Sequence, residues 1–336
     1  MTNPQSEVAV WLQGMGEPID VTRRQTTACC EPFLICIGFD EGNAPGEREV
    51  DRLFLEFWER AGGKRLLGRI GLDLHSTESV DRLTLFFFHA RSSRNYCLPG
   101  VRLCAHYLVH AYKSWETANT SGLEMTFLER RAAMVTFIRA HPVCLVTAND
   151  ECGGNIFPMN LMGELGCGRL GFALKRNRTA APLLERTRKL AVSSVPTNYA
   201  PLVFRYAAHH FQESIDWGGL PFAMGRSQTL AIPVPEFALR VRELEVEKIY
   251  RNGSHTFFVA KIVSDERLAD EEELCAIHGF YQAWRLRGQS VQLRASVERH
   301  RLHKKGPVPL FRQAADLNAE IEAAAHSVQR IDRASA

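Results

Sequence analysis

Five consecutive residues, Lys175-Arg176-Asn177-Arg178-Thr179, set three cations, an amide and a hydroxyl directly before a stretch, 181–189, that reads as a helix. Positive side chains, neutral donors and the free amides of a helix's first turn, converging on one spot, suit a phosphate. The residues that lead into this loop are Gly153-Gly154-Asn155-Ile156-Phe157-Pro158-Met159-Asn160, a turn entering a strand, and then a second strand that ends in Phe172-Ala173-Leu174. Histidines offer other chemistry. His255 follows a Gly253-Ser254 turn, where it either caps its own hairpin or acts on a ligand. His106 and His110 stand at i,i+4, a spacing that can place two ligands on a metal. No Glu follows the first as the zincin pattern requires, and they read as packing or surface residues, as do His209-His210. Trp217, in a Gly-rich loop, reads equally as an apolar anchor or as a lid.

Composition narrows the classes. A chain of 336 residues exceeds what one core usually covers, so two domains are expected. At 45% hydrophobic and 24% charged it has the make-up of a soluble globular protein. A net charge of +3 is too mild to argue for nucleic acid. The dense basic tract 299–305 reads as a solvated surface segment. Nine cysteines at irregular spacing include no CxxC pair, so no metal site is expected, and reduced thiols in a cytoplasmic protein are. The N-terminus lacks the basic start and apolar core of a signal peptide, and no apolar run approaches the ~20 residues of a membrane helix.

The elements that must position the loop follow from periodicity. Residues 1–31 are polar and turn-rich, and poor structure is expected there. Residues 32–39 read as a strand, 50–60 as a helix stopped by Gly62-Gly63, 66–74 and 83–88 as strands, and 98–115 as a helix. Together 32–120 make a small α+β domain to which no function is assigned, and 119–122 is a polar break. Thereafter come a helix at 124–139, a strand at 143–147, the stretch described above, a strand at 190–196 and a helix at 199–212. Residues 237–250 and 255–263 form a hairpin through Arg251-Asn252-Gly253-Ser254. A last strand is expected at 277–286. Within the extension 289–336, residues 310–331 carry a weak heptad seam, read as a helix packed on its own or a partner barrel. Many short strands with few helices predict a mainly β protein built on a barrel.

The order of features over 124–288 resembles the flavin reductase-like, FMN-binding split-barrel family. Five motifs carry the resemblance: Leu145-Val146-Thr147 ending the first strand, Asn155-Ile156-Phe157-Pro158, Leu174-Lys175-Arg176-Asn177-Arg178-Thr179, the helix and strand from Leu183 to Val195, and Gly253-Ser254-His255-Thr256-Phe257. The resemblance implies a split β-barrel with flanking helices that holds FMN near a dimer interface. Asn155, Phe157, Pro158, Met159 and Asn160 would line the ring. Lys175, Arg176, Asn177, Arg178 and Thr179 would hold the phosphate. Ser193 and Ser194 lie on a strand that touches the flavin, Tyr281 caps the site, and His255 is the candidate catalytic residue.

These readings lead to an FMN-dependent oxidoreductase in which NADH or NADPH reduces bound FMN. The electrons then pass to flavin, a partner oxygenase or a small acceptor. No GxGxxG dinucleotide fingerprint is present, and split barrels do not need one. A homodimer paired through the barrel is expected, with no membrane and no nucleic acid. Pro158 and Met159 depart from the Thr and Val or Ala usual in the family. That departure supports an alternative, a non-catalytic flavin- or ligand-binding module that works as a sensor or interaction protein.

Overall fold

The computed structural model describes residues 6–60, 64–116 and 125–276. The break at 119–122, the strand expected at 277–286 with Tyr281, the basic tract 299–305 and the helix expected at 310–331 lie outside them.

Strands dominate the described chain. The first run is β1 (Val8–Gln13), β2 (Ile19–Asp20), β3 (Gln25–Cys30), β4 (Phe33–Asp40), the short helix α1 (Glu47–Val50), β5 (Phe54–Glu59), β6 (Leu66–Val80) and β7 (Leu83–Asn95). Then come α2 (Gly100–Glu116), α3 (Phe127–Thr136) and β8 (His141–Pro142). The second run is β9 (Cys144–Asp150), β10 (Gly153–Met159), β11 (Met162–Gly166), β12 (Arg169–Lys175), α4 (Ala180–Thr187) and β13 (Lys189–Ser194). It continues through α5 (Ala200–Arg205), the small hairpin β14 (Met224–Arg226) and β15 (Pro233–Pro235), and the long strands β16 (Arg240–Asn252) and β17 (His255–Arg267). Finally β18 (Cys275–Ala276) pairs with β8.

The two runs build two seven-stranded sheets, ordered β2-β1-β5-β6-β7-β4-β3 and β10-β9-β13-β16-β17-β12-β11. Numbered within each sheet, the two orders are identical. The second sheet curls into the half-barrel of a split-barrel fold. The correspondence extends to single hydrogen bonds. A two-residue turn joins the last two strands of each sheet, and its first residue is left-handed: Asp81 at φ 53 and Gly253 at φ 51. The amide of Glu41 donates to Arg82 O, and that of Arg176 to Ser254 O, at 3.0 Å in both cases. The amide of Gly38 donates to Arg24 O at 2.9 Å, and that of Ala173 to Leu161 O at 3.0 Å. Asp40 pairs with Leu83 as Lys175 pairs with His255. Asp40 therefore stands where the second sheet has Lys175, Leu83 where it has His255, and Arg23 where it has Asn160.

Within the first unit the structure differs from two of the element readings. Residues 50–60 were expected to form a helix but supply β5, which is buried along most of its length between β1 and β6. Phe54-Leu55-Glu56-Phe57-Trp58 fits either period. Burial on both faces is possible because Glu56 receives hydrogen bonds from Gln13 Nε2 (3.2 Å), Trp58 Nε1 (3.0 Å) and Arg69 Nε (3.0 Å). Residues 1–31, expected to be poorly structured, contain β1, β2 and β3, and Val8, Val10 and Leu12 lie in the core. The core of the first sheet also takes in Ala132, Val135 and Ile138 from α3 and the residues that follow it. That helix starts at a capping box, with Glu129 N donating to Thr126 Oγ1 and Thr126 N to Glu129 Oε2. In the second sheet α4 plays the same part, with Ala180, Ala181, Leu183 and Leu184 buried in its core.

The sheets meet along a shared apolar seam. It joins Ala28, Cys29, Leu34, Cys36, Leu85 and Phe87 to Leu165, Ala173, Phe257 and Val259. The Phe87 and Phe257 rings pack edge-to-face with centroids 5.6 Å apart. At each end a turn of one sheet touches the other. Ser254 N donates to Glu31 O (2.8 Å), while at the opposite end Cys167 Sγ lies 3.0 Å from Asp40 Oδ1 and Arg169 pairs with Asp81 (3.3 Å). Reciprocal contacts of this kind characterise a two-fold interface between identical subunits, here reproduced within one chain. The β11–β12–β17 face of the second sheet is thus covered by the first sheet. At its centre Gly38 packs so close that a Cβ would run into the Leu165 carbonyl. Gly38→Val is expected to lower stability by about 2 kcal/mol or more, since overpacked backbone cannot yield. Denaturant unfolding checks this, and an unchanged midpoint would contradict the seam.

Candidate functional site

The cationic loop leaves β12 at the edge of the seam. Lys175 is half-buried opposite His255, and burial lowers its ammonium from the ordinary value, reinforced by the charge of Arg178. Arg176 is exposed and reaches Gly253 O at 3.4 Å, and Asn177 is exposed beside it. The Arg178 guanidinium lies 3.6 Å from the centroid of the Phe211 ring. Among the described residues no carboxylate stands within ion-pair distance of Arg176 or Arg178. Thr179 does not point its donors outward. Its amide and hydroxyl both bond His210 O (3.1 Å each), and the hydroxyl also bonds Gln212 O (2.7 Å).

One segment, the 3-10 turn Tyr206–Phe211, ties this loop to β10. Asn155 is fully buried and donates from Nδ2 to His209 O (2.9 Å) and Gln212 O (2.8 Å), while its Oδ1 has no partner. His209 Nδ1 donates to Ile156 O and His210 Nε2 to Pro158 O, both at 2.8 Å. Burial lowers both imidazoles, so each is a neutral donor that holds β10 in place. From the sequence these two histidines read as packing or surface residues. Their adjacency gave no sign that they alternate between two carbonyls of one strand.

The ring-lining candidates divide between two faces. Phe157 and Met159 point into the second sheet's own core, so only their backbone faces outward. Pro158, Leu145 and Ser193 stand in one row across β10, β9 and β13 on the other face, and the Ser193 hydroxyl is buried without a partner. Ser194 lies on the core side, 4.0 Å from Cys144 Sγ. Asn160 is half-buried in the turn between β10 and β11. The sheet order places β16 and β17 between β13 and β12, so the serines and Lys175 do not adjoin along the sheet. Trp217 packs with Ile215, Leu220 and Phe222 over β10, as an anchor.

His255 is 3% exposed and receives a contribution from the first sheet that no sequence pattern announced. Its Nδ1 accepts from the Ser254 hydroxyl (2.8 Å) and faces the Cys30 amide (3.5 Å), 225 residues away in sequence, with Cys29 Sγ at 3.8 Å. The ring is neutral: burial, then the Lys175 charge, takes its pKa from 6.5 to about 4. Burial and Arg139 do the same to His141. The Cys30 thiol is pushed up to about 12 by burial, so it is no nucleophile.

The donor set fits a phosphate. Three cations occupy one end of the seam, two of them with no carboxylate of the described residues at ion-pair distance. Among the described residues no cluster of His, Cys, Asp and Glu could hold a metal ion, and no helix is long and apolar enough to cross a membrane. A depressed histidine favours the fold only while it stays neutral. That contribution is full above pH 6.5 and is lost as pH falls toward 4, by about 3 kcal/mol for each such residue. Unfolding midpoints between pH 7 and 4 should therefore drop, and His255→Gln should flatten the drop. An unchanged slope in the variant would show that His255 is not held neutral.

Residues 138–285 match the family model described as flavin reductase like domain, the last nine of them beyond the described chain. Solved structures that resemble part of the chain include an FMN-binding protein from Thermus thermophilus, at 22% identity over 38% of this chain and 73% of that one, with a TM-score of 0.35. They also include the styrene monooxygenase flavin reductase of Pseudomonas putida S12, at 17% identity over 44% and 92%, TM-score 0.37. A third is the NADH:FAD oxidoreductase SgcE6 of Streptomyces globisporus, at 15% identity over 45% and 89%, TM-score 0.41. No curated protein matches. Over residues 138–285, then, the chain is similar to the flavin reductase like domain.

Proposed function

We propose that the chain binds one FMN at the Lys175 end of the seam and acts as an FMN-dependent oxidoreductase reduced by NADH or NADPH. The observation that carries this reading is the trio Lys175, Arg176 and Arg178 within the stretch that matches the flavin reductase like domain, two of the three with no carboxylate of the described residues at ion-pair distance. A dianionic phosphate satisfies these groups, because guanidinium forks match its oxygens. Bound there, the cofactor supplies hydride and electron transfer. The protein's part is to fix the phosphate through Arg176 and Arg178 and to present the backbone of Pro158 to Asn160 along the ring. His255 keeps Lys175 facing a neutral neighbour. The electron acceptor is proposed to be free flavin, a partner oxygenase or a small molecule.

The stoichiometry follows from the charge difference between the two sheets. Where the second has Lys175-Arg176, the first has Asp40-Glu41, which repels phosphate. A single chain supplies both halves of the seam, so the homodimer implied by the resemblance is not needed to complete the site. The expected result is one FMN per chain in a protein that sediments as a monomer. The double variant Arg176→Ala/Arg178→Ala should weaken FMN by at least about tenfold, or ~1.4 kcal/mol. A purified protein that stays colourless after FMN is added would refute the reading.

One observation favours the alternative of a flavin-binding module without turnover. His255, the candidate catalytic residue, is buried and neutral, and so is not a ready acid. Anaerobic addition of NADH and NADPH separates the two. Bleaching of the flavin band establishes turnover, and a spectrum that never bleaches establishes the binding module.

A further inference from the structure

The opposite end of the seam holds a cavity of about 670 Å³ lined from both sheets and by the segment after α3. Seven arginines line it against five carboxylates, with Arg23, Arg60, Arg139 and Arg169 among the first and Asp20 and Glu164 among the second. Arg60 and Arg169 are committed to carboxylates, the first to Asp20 (3.1 Å) and the second to Glu247 (2.7 Å). Arg23 and Arg139 are not. No carboxylate of the described residues lies within ion-pair distance of either, and Arg139 Nε is buried without a hydrogen-bond partner. Burial, then the Arg23 charge, pulls the Arg139 guanidinium down to about 10, with Glu164 and Cys275 opposing and Arg60 adding to the pull. A cation buried beside like charges costs several kcal/mol unless something neutralises it.

The position is informative as well. Thr22 and Arg23 line this cavity, and they correspond in the first sheet to Met159 and Asn160 in the second. The cavity is therefore the counterpart of the proposed flavin position, but on different chemistry. Its phosphate loop has become Asp40-Glu41, and its turn residue has become an arginine. FMN does not suit it, whereas a compact polyanion held by guanidinium groups does. The volume is within the range of small-molecule sites.

We propose that this cavity is a second ligand site, distinct from the flavin position, that binds a phosphate-bearing small molecule of nucleotide size through Arg139 and Arg23. Planar guanidinium groups with unused N–H donors take phosphate oxygens in pairs, which prefers phosphoryl groups over a point anion such as chloride.

The test uses the full chain with FMN present, and pyrophosphate and ADP as probes at constant ionic strength. Calorimetric titration should show saturable binding of at least one probe that does not displace FMN, weakened tenfold or more in Arg139→Met and in Arg23→Gln. Without probe, Arg139→Met should melt at or above the wild-type temperature, because the buried charge has no partner to lose. Arg176→Ala/Arg178→Ala should leave probe binding unchanged, which separates failure of this site from failure of the flavin reading. Three results overturn the proposal: neither probe binds, the arginine variants bind them as wild type does, or Arg139→Met melts several degrees lower, which would make the guanidinium structural. Displacement of FMN by the probe, one for one, overturns it too.

Discussion

Everything described depends on the close approach of two sheet faces along the Gly38–Leu165 and Phe87–Phe257 seam. Glycine allows the backbones to meet, and the phenyl rings fill the space on either side. That contact brings Cys29, Cys30 and Glu31 against His255 and Lys175, and Asp40 against Cys167. Neither end of the seam exists in one sheet alone. The apolar seam supplies the driving force, while the turns at its ends supply orientation through few polar contacts.

Within each half, one helix performs the closure a partly open sheet needs. Segment 127–140 inserts its apolar residues into the first sheet, and α4 inserts Leu183 and Leu184 into the second. Because α4 starts at Thr179, the helix that fills the core also fixes the cationic loop. Thr179 is tied to His210 and Gln212, and those residues are tied to β10 through Asn155 and the two histidines. Loop, covering segment and strand are therefore tied together by hydrogen bonds, an arrangement that preorganises the loop.

Much of the second half was legible from residues. The loop at 175–179, the hairpin at Asn252-Gly253 and the strand from Asn155 each carry a local signal, and each is found as an element. The first half was not, for physical reasons. Equivalent positions share backbone geometry but not side-chain chemistry: Asp40 for Lys175, Leu83 for His255, Asp81 for Gly253. A backbone duplication leaves no repeated letters when only burial is retained. Residues 54–59 misled because a strand covered on both faces has no alternation to read, while its apolar spacing and the Gly62-Gly63 stop fitted a helix. Phe157 and Met159 were matched by motif to the ring, although strand alternation sends them to the core.

The charge reversal between Lys175-Arg176 and Asp40-Glu41 has a consequence for how such a protein can vary. In a symmetric pair of identical subunits every substitution is written twice, so improving one pocket necessarily alters its twin. Here the two ends of the seam are encoded by different codons. A mutation at Arg23 is silent at Asn160, and one at Asp40 leaves Lys175 as it was. Two chemistries can then be tuned independently against one shared wall, a freedom that a symmetric pair of copies does not have.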